Sequence, residues 1–275
     1  MSIIFGNWKY LIKNFWFVLP FAVLPALFLA LSLDYTAIRS VLDAFFSGDP
    51  SADFMLLFRT WSLIRVDSWL GAVYSVLAVA CFAVCMAVLL SLVEKHMRIG
   101  KRTLSGAFSQ LGNNLINALL ITVLYLAMYE LWAALTAAVL YMIGGIVDVT
   151  VGVYVLMIFA LACLLFVLVY CAAVFYLWFP CLQHTGFSRY EGLRYSYQLM
   201  CNVRGKLILS LLISLVGFCL LIALCAAVLP EYFFYIAAFL FLIILFSSFC
   251  VRMETIYFAV DRLDREDIIR SWRDL

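Results

Sequence analysis

Six long stretches of this chain contain almost nothing that water would hydrate. The runs 15–33, 69–93, 115–142, 149–179, 207–229 and 231–251 each reach the ~18 apolar residues that cross a ~30 Å hydrocarbon core at ~1.5 Å per residue. A surface helix of a soluble protein breaks its apolar stripe with polar residues every turn or two, because its outer face meets water. These runs do not. Hydrophobic residues make up 68% of the 275-residue chain and charged ones 12%, against about 45–50% and about 25% in soluble domains. The expected fold class is all-α: a polytopic membrane protein of six transmembrane helices, one integral membrane domain over 1–275.

The first run follows Lys9 and Lys13, the basic flank of a signal peptide. It is longer than a typical signal core, carries Pro20 and Pro25, and lacks a clear small-x-small cleavage site before Asp34, so a retained signal-anchor helix is expected. Fifteen of the 18 lysines and arginines fall in segments 1–14, 94–114, 180–206 and 252–275. Arg39, Arg59 and Arg65 lie on the other side, among Asp34, Asp43, Asp49, Asp53, Asp67, Asp148 and Glu231. An even span count puts the basic segments on one side, and the positive-inside rule makes that side, with both termini, cytoplasmic. The expected location is a cell (inner) membrane. A net charge of +2 distributed this way points to lipid head groups rather than nucleic acid.

The nine cysteines form no CxxC, and none falls in an outer loop; Cys81 and Cys85, four residues apart, lack further ligands. They read as small hydrophobes rather than as disulfide or metal chemistry, and no cofactor is expected. No N-x-S/T sequon is present.

The outer amphipathic loop 34–68 is the longest stretch between spans. Ala37, Ile38, Val41, Leu42, Phe45 and Phe46 recur at helical spacing, as do Phe54, Leu57, Phe58, Trp61 and Ile64, with Gly48-Asp49-Pro50 between them. Two short amphipathic helices in the outer interface are expected; a lid that captures a substrate is the other reading. On the cytoplasmic side, three lead-in segments end in an Asn and run into a pair of spans: Trp8 to Asn14, Ala107 to Asn114 and Tyr195 to Asn202. They suggest three hairpins, each preceded by a cytoplasmic amphipathic helix, although short biased segments also match by chance.

The stretch Gly186 to Leu199 carries Glu191, Gly192 and Ser196, and is followed by Arg204-Gly205-Lys206 and an apolar helix reaching Gly217. It resembles bacterial six-span integral membrane proteins similar to the membrane domain of glycerophosphoryl diester phosphodiesterases. Those proteins lead an amphipathic helix with a Glu-Gly phrase into a span through a basic-Gly pair. Arg194 or Tyr195 stands where the pattern has a small residue. The phosphodiesterase catalytic domain has no counterpart here, so the resemblance implies architecture and no catalysis.

An ionisable side chain inside a membrane is costly and therefore a functional candidate. Glu130 stands well inside the third run, beside Tyr129, Tyr125 and Trp132. It is expected to be either a proton- or cation-binding group on a pathway or a carboxyl held neutral by desolvation and bonded to a helix neighbour. Arg189, Arg194, Arg204 and Lys206 are candidate cytoplasmic contacts to lipid or a partner. Asn113, Asn114 and Asn117 suit helix bridging, Arg252 and Glu254 suit local pairing or snorkelling at the inner end of the last span, and His96 and His184 lack evident partners. Within the cytoplasmic tail 252–275, Asp261 to Arg270 reads as a short solvated helix continuing the last span.

No GxxxxGK[ST], HExxH or GxSxG occurs, which removes the commonest phosphate, zinc and acyl-transfer chemistries. Gly/Pro interruptions of the kind that mark transporter sites are confined to Pro20, Pro25 and a turn at Gly144-Gly145. Alanines instead recur every four residues, at Ala22, Ala26 and Ala30, Ala83 and Ala87, and Ala133 and Ala137, a helix-packing pattern. The expected function is non-enzymatic: an accessory or scaffold in envelope, transport or lipid handling, with membrane lipids and a protein partner or a second copy as company. The alternative is a small transporter or channel using Glu130.

Overall fold

The computed structural model describes residues 3–47, 53–65, 67–104, 107–146 and 150–273. The regular structure among them is α-helical: α1 (Ile3–Lys13), α2 (Phe15–Ser32), α3 (Tyr35–Ser47), α4 (Phe54–Trp61), α5 (Trp69–Ile99), α6 (Ala107–Ile146), α7 (Thr150–Phe175), α8 (Trp178–Thr185), α9 (Arg189–Val228), α10 (Glu231–Val260) and α11 (Glu266–Arg273). Six helices are long and apolar enough to cross a membrane: α2, α5, α6, α7 with its continuation α8, α9 and α10. The protein is all-α and polytopic.

Several helices outrun their apolar stretches. The lead-in segments of α6 and α9 are not separate amphipathic helices but the first turns of helices 40 residues long. Only the first lead-in, α1, is a helix of its own, broken from α2 at Asn14. Gly144 and Gly145 lie within α6, not in a turn. The last span also runs past 251 to Val260, and the tail helix α11 begins after a break rather than continuing it. The Gly48-Asp49-Pro50 punctuation and Asp148 lie outside the described residues. Pro20 and Pro25 sit inside α2 without ending it, as neighbouring helices allow in a membrane span.

The six spans pack in chain order around a ring: α2 on α5, α5 on α6, α6 on α7, α7 on α9, α9 on α10, and α10 back on α2. The three expected hairpin pairs are therefore neighbours. Close approach rests on the alanines read from the sequence: Ala22, Ala26, Ala30, Ala83, Ala87, Ala133 and Ala137 are all buried. With lipid tails as apolar as leucine, such small residues let backbones gain van der Waals contact that no hydrophobic gradient supplies. Trp16 at the start of α2 and Trp69 at the start of α5 are both 82% exposed. They stand at opposite ends of the ring, where indole rings suit the membrane–water boundary.

One end of the ring, the terminal face, carries α1, α8 and α11. Helix α1 packs on α10, and α11 on α5. The Tyr10 hydroxyl and His96 Nδ1 share a hydrogen bond (2.7 Å), and burial together with the Asp267 carboxylate holds the phenol far above its ordinary value, so it keeps its proton. Arg102 reaches the break between α1 and α2, donating to Asn14 Oδ1 (2.9 Å).

The other end is closed by a cap made from 34–68. Helix α4 packs on α6 and α3 on α9. Arg39 donates to the carbonyls of Ala226 and Ala227 at the C-terminal end of α9, where helix carbonyls lack intrahelical partners. Tyr35 donates to the Leu229 carbonyl and Tyr154 of α7 to that of Phe45. The stretch is docked on the ring end by specific hydrogen bonds as well as by its apolar faces.

Candidate functional site

Glu130 is a ligand for backbone. Its Oε2 accepts from the Ser62 hydroxyl (2.7 Å) and its Oε1 from the N–H groups of Leu63 (2.9 Å) and Ile64 (3.2 Å). Residues 62–64 follow α4 in no helix of their own, so their N–H groups need an acceptor, and the α6 carboxylate supplies it. The aromatic neighbours do not bond it: Tyr125 donates to the Ala172 carbonyl (3.4 Å) and Trp132 to that of Leu164 (2.8 Å). The carboxylate ties the cap to the ring.

The loop so held places Leu63 against a chamber of about 320 Å³ to which all six spans contribute. Its lining is almost entirely apolar, with Tyr125 and Tyr129 among Leu, Phe, Ala and Met side chains. Few polar groups reach it, chiefly Ser75, Thr122, Ser214 and Arg252. The α10 lining runs from Leu242 to Arg252, which corresponds to roughly 15 Å along the helix axis. Leu63 and Ser75 belong to the cap end of this space, and Arg252 to the end near the terminal face.

At Arg252 the structure departs from the sequence expectation. Two residues apart on a helix, Arg252 and Glu254 do not face each other, and the structure buries both, at 3% and 0% exposure, rather than pairing them or letting them snorkel. The Arg252 guanidinium donates from Nη1 to the Ser210 carbonyl (3.0 Å) and from Nη2 to the hydroxyls of Ser214 (2.7 Å) and Ser248 (2.9 Å). Ser248 also accepts from Asn7 of α1 (3.2 Å). The Nε–H is buried and has no partner, as is the Thr122 hydroxyl elsewhere in the lining. Every partner that Arg252 has among the described residues is neutral.

Glu254 turns the other way, toward α8. His184 Nε2 donates to Glu254 Oε2 (3.1 Å), while its Nδ1 accepts from Arg98 Nη2 (3.1 Å). Arg98 also pairs with Glu94 (3.1 Å), which accepts from Gln183 (2.7 Å). The His184 ring stacks on Tyr257 at 4.6 Å. Both histidines therefore have partners, and none of these was legible locally, because each lies on another helix. Among the described residues no group of three His, Cys, Asp or Glu side chains is placed to hold a metal ion.

Arg189, Arg194, Arg204 and Lys206 are all exposed along the first half of α9, and the Arg204 guanidinium lies over the Tyr170 ring at 4.7 Å. The Glu-Gly phrase beside them has a local cause. Glu191 Oε2 accepts from the Ser188 N–H (3.1 Å) and hydroxyl (2.7 Å) at the start of α9. A Cβ on Gly192 would come within 2.7 Å of Leu182, so the glycine lets α8 lie against α9. The Asn-bearing lead-ins differ in detail: Asn14 breaks a helix, Asn114 donates to Ser91 (3.3 Å), and Asn202 is exposed. The side chain of Asn113 lies outside the described residues. A signal for Arg252 did exist, since Ser210, Ser214 and Ser248 interrupt otherwise apolar runs and two of them share a helix face. No family model, no curated protein and no solved structure matches the chain.

Proposed function

We propose that this is a non-enzymatic multi-pass protein of a bacterial inner membrane, with both termini cytoplasmic, that holds a lipid-like molecule inside its ring of spans as an accessory to lipid handling. The observation that carries the reading is the apolar chamber lined by all six spans. Its volume, about 320 Å³, falls at the lower end of the roughly 300–1,000 Å³ of ligand cavities. A single hydrocarbon chain in a space of that size gains dispersion contacts along its whole lining. The likeness of the Glu191-Gly192 region to the membrane domain of glycerophosphoryl diester phosphodiesterases concerns architecture and is neutral on the ligand. The exposed Arg189, Arg194, Arg204 and Lys206 suit contact with anionic head groups or a protein partner at that face. A transporter or channel built on Glu130 is less well supported, because that carboxylate is occupied by the 62–64 loop.

Native mass spectrometry of the protein purified in mild detergent tests the reading. A discrete lipid-like adduct is expected on the wild type. It should be lost in Ala78→Phe and in Leu245→Trp, which fill the chamber from α5 and α10. Wild type without an adduct, or filled variants that keep theirs, would refute a ligand in the chamber. Turnover of a lipid or phosphoester by the purified protein would refute the non-enzymatic part.

A further inference from the structure

The chamber is not uniformly apolar. It has one charged end, and that end is built. Arg252 is 3% exposed and its guanidinium is fixed by three neutral oxygens from Ser210, Ser214 and Ser248 on two helices. A guanidinium carries five N–H donors; these bonds use three. The nearest acidic residue in sequence, Glu254, is engaged by His184 on another face of α10. A buried cation without a counter-ion is disfavoured in a low-dielectric interior, so an anion carried by a ligand is stabilised beside it.

Position narrows what that is. Arg252 lies 21 residues beyond Glu231, which starts α10 at the cap end, roughly 31 Å at 1.5 Å per residue. It therefore stands about one hydrocarbon thickness from the cap boundary, level with the head-group region of the terminal face. From there the chamber extends inward for roughly 15 Å between apolar walls. Charge at the boundary and hydrocarbon toward the midplane is the polarity of a lipid of that leaflet.

We infer that the chamber binds a single-chain acidic amphiphile, its carboxylate or phosphate on Arg252 and its acyl chain running toward Leu63 and the cap. This rests on the proposed function above and adds the head-group chemistry. Hydroxyls of Ser214 and Ser248 hold the guanidinium in place, so that an entering oxyanion meets an oriented donor, and charge-assisted bonds of this kind are about twice as strong as neutral ones. The chamber's volume of about 320 Å³ suits one acyl chain.

Binding of radiolabelled laurate to the full chain in detergent, competed by lauryl phosphate, lauryl alcohol and inorganic phosphate, tests the assignment. In the wild type, laurate binds. Lauryl phosphate competes at least as well if the head group recognised is a phosphate, and less well if it is a carboxylate, while lauryl alcohol and inorganic phosphate compete weakly. Arg252→Gln lowers affinity for the anions about tenfold to a hundredfold, leaves that for the alcohol unchanged, and Arg252→Lys recovers part of the loss. Alcohol binding equal to acid binding in the wild type, or equal acid binding by Arg252→Gln, overturns the role of Arg252 but leaves the chamber as an apolar site. Competition by inorganic phosphate as strong as by lauryl phosphate overturns the amphiphile. No binding of any chain overturns the chamber reading itself. If Arg252→Gln does not fold, the wild-type preference for laurate over its alcohol still decides whether the chamber recognises an anion.

Discussion

At the scale of single residues, the same physics gives Glu130 and Arg252 opposite fates. Each is an ionisable group within an apolar helix, and each must find polar partners or neutralise. Glu130 finds three donors in the 62–64 loop; Arg252 finds three neutral acceptors and keeps donors to spare. Replacing Glu130 with Ala should therefore cost about 2–3 kcal/mol of stability and Glu130→Gln about 1–2, on the scale of hydrogen bonds to a charged group. Thermal unfolding in detergent checks this, and Ser62→Ala should add little on top of Glu130→Ala because the two share one network. A Glu130→Gln protein as stable as the wild type would remove the tether and favour a carboxylate with a transport role. Glu130 stands out in the sequence because a lone carboxylate in an apolar run is exceptional by composition alone. Arg252 does not, since its place near the end of a run looks like ordinary membrane-edge charge until the partners on α9 are known.

At the scale of elements, the cap shows how a stretch that reads as interfacial becomes part of the bundle. The apolar spacing over 35–47 and 54–61 located α3 and α4. It carried no information about Arg39 reaching the end of α9 or about the ion-pair chain Asp34–Arg59–Asp67–Arg65, which depend on contacts across the fold. Asp34 is the hinge of that chain. Its Oδ1 accepts from the Thr36 hydroxyl (2.7 Å) and from the Ala37 N–H (3.1 Å) in the first turn of α3, and Oδ2 pairs with Arg59 (2.6 Å). Burial pushes the carboxyl up, but the bonds from Thr36, Ala37 and Arg59 outweigh it and hold it below the usual range. A depressed folded-state value means that the carboxylate stabilises the fold above the unfolded value of about 3.9 and that this contribution is lost as pH falls through the lower folded value. Asp34→Asn should thus lower stability by about 1–3 kcal/mol at neutral pH. The gap in melting temperature between variant and wild type should stay constant down to about pH 5 and close below about pH 4. A gap independent of pH would show that the carboxylate charge has no part in holding the cap.

At the scale of the whole molecule, the spans were legible because hydropathy and length are local properties, whereas the ring order and its central chamber are not. What the sequence does carry at this scale is an asymmetry of charge. On the cap side, Arg39, Arg59 and Arg65 are each paired with an aspartate. On the terminal face, Arg189, Arg194, Arg204 and Lys206 are exposed along α9, free to meet anionic head groups worth about 1 kcal/mol each. The bias in basic residues predicts that the terminal face is cytoplasmic, and one native thiol can test it. Cys201 is exposed among those basic residues, before the apolar part of α9, while Cys181 is buried and the other cysteines lie on span helices. A membrane-impermeant maleimide should therefore label the protein in inverted inner-membrane vesicles and not in spheroplasts, and Cys201→Ser should abolish the signal. Phe46→Cys, at a position 74% exposed on the cap, should reverse the pattern when introduced into the Cys201→Ser background. Labelling of Cys201 in intact spheroplasts would invert the topology, and with it the leaflet whose lipids stand level with Arg252.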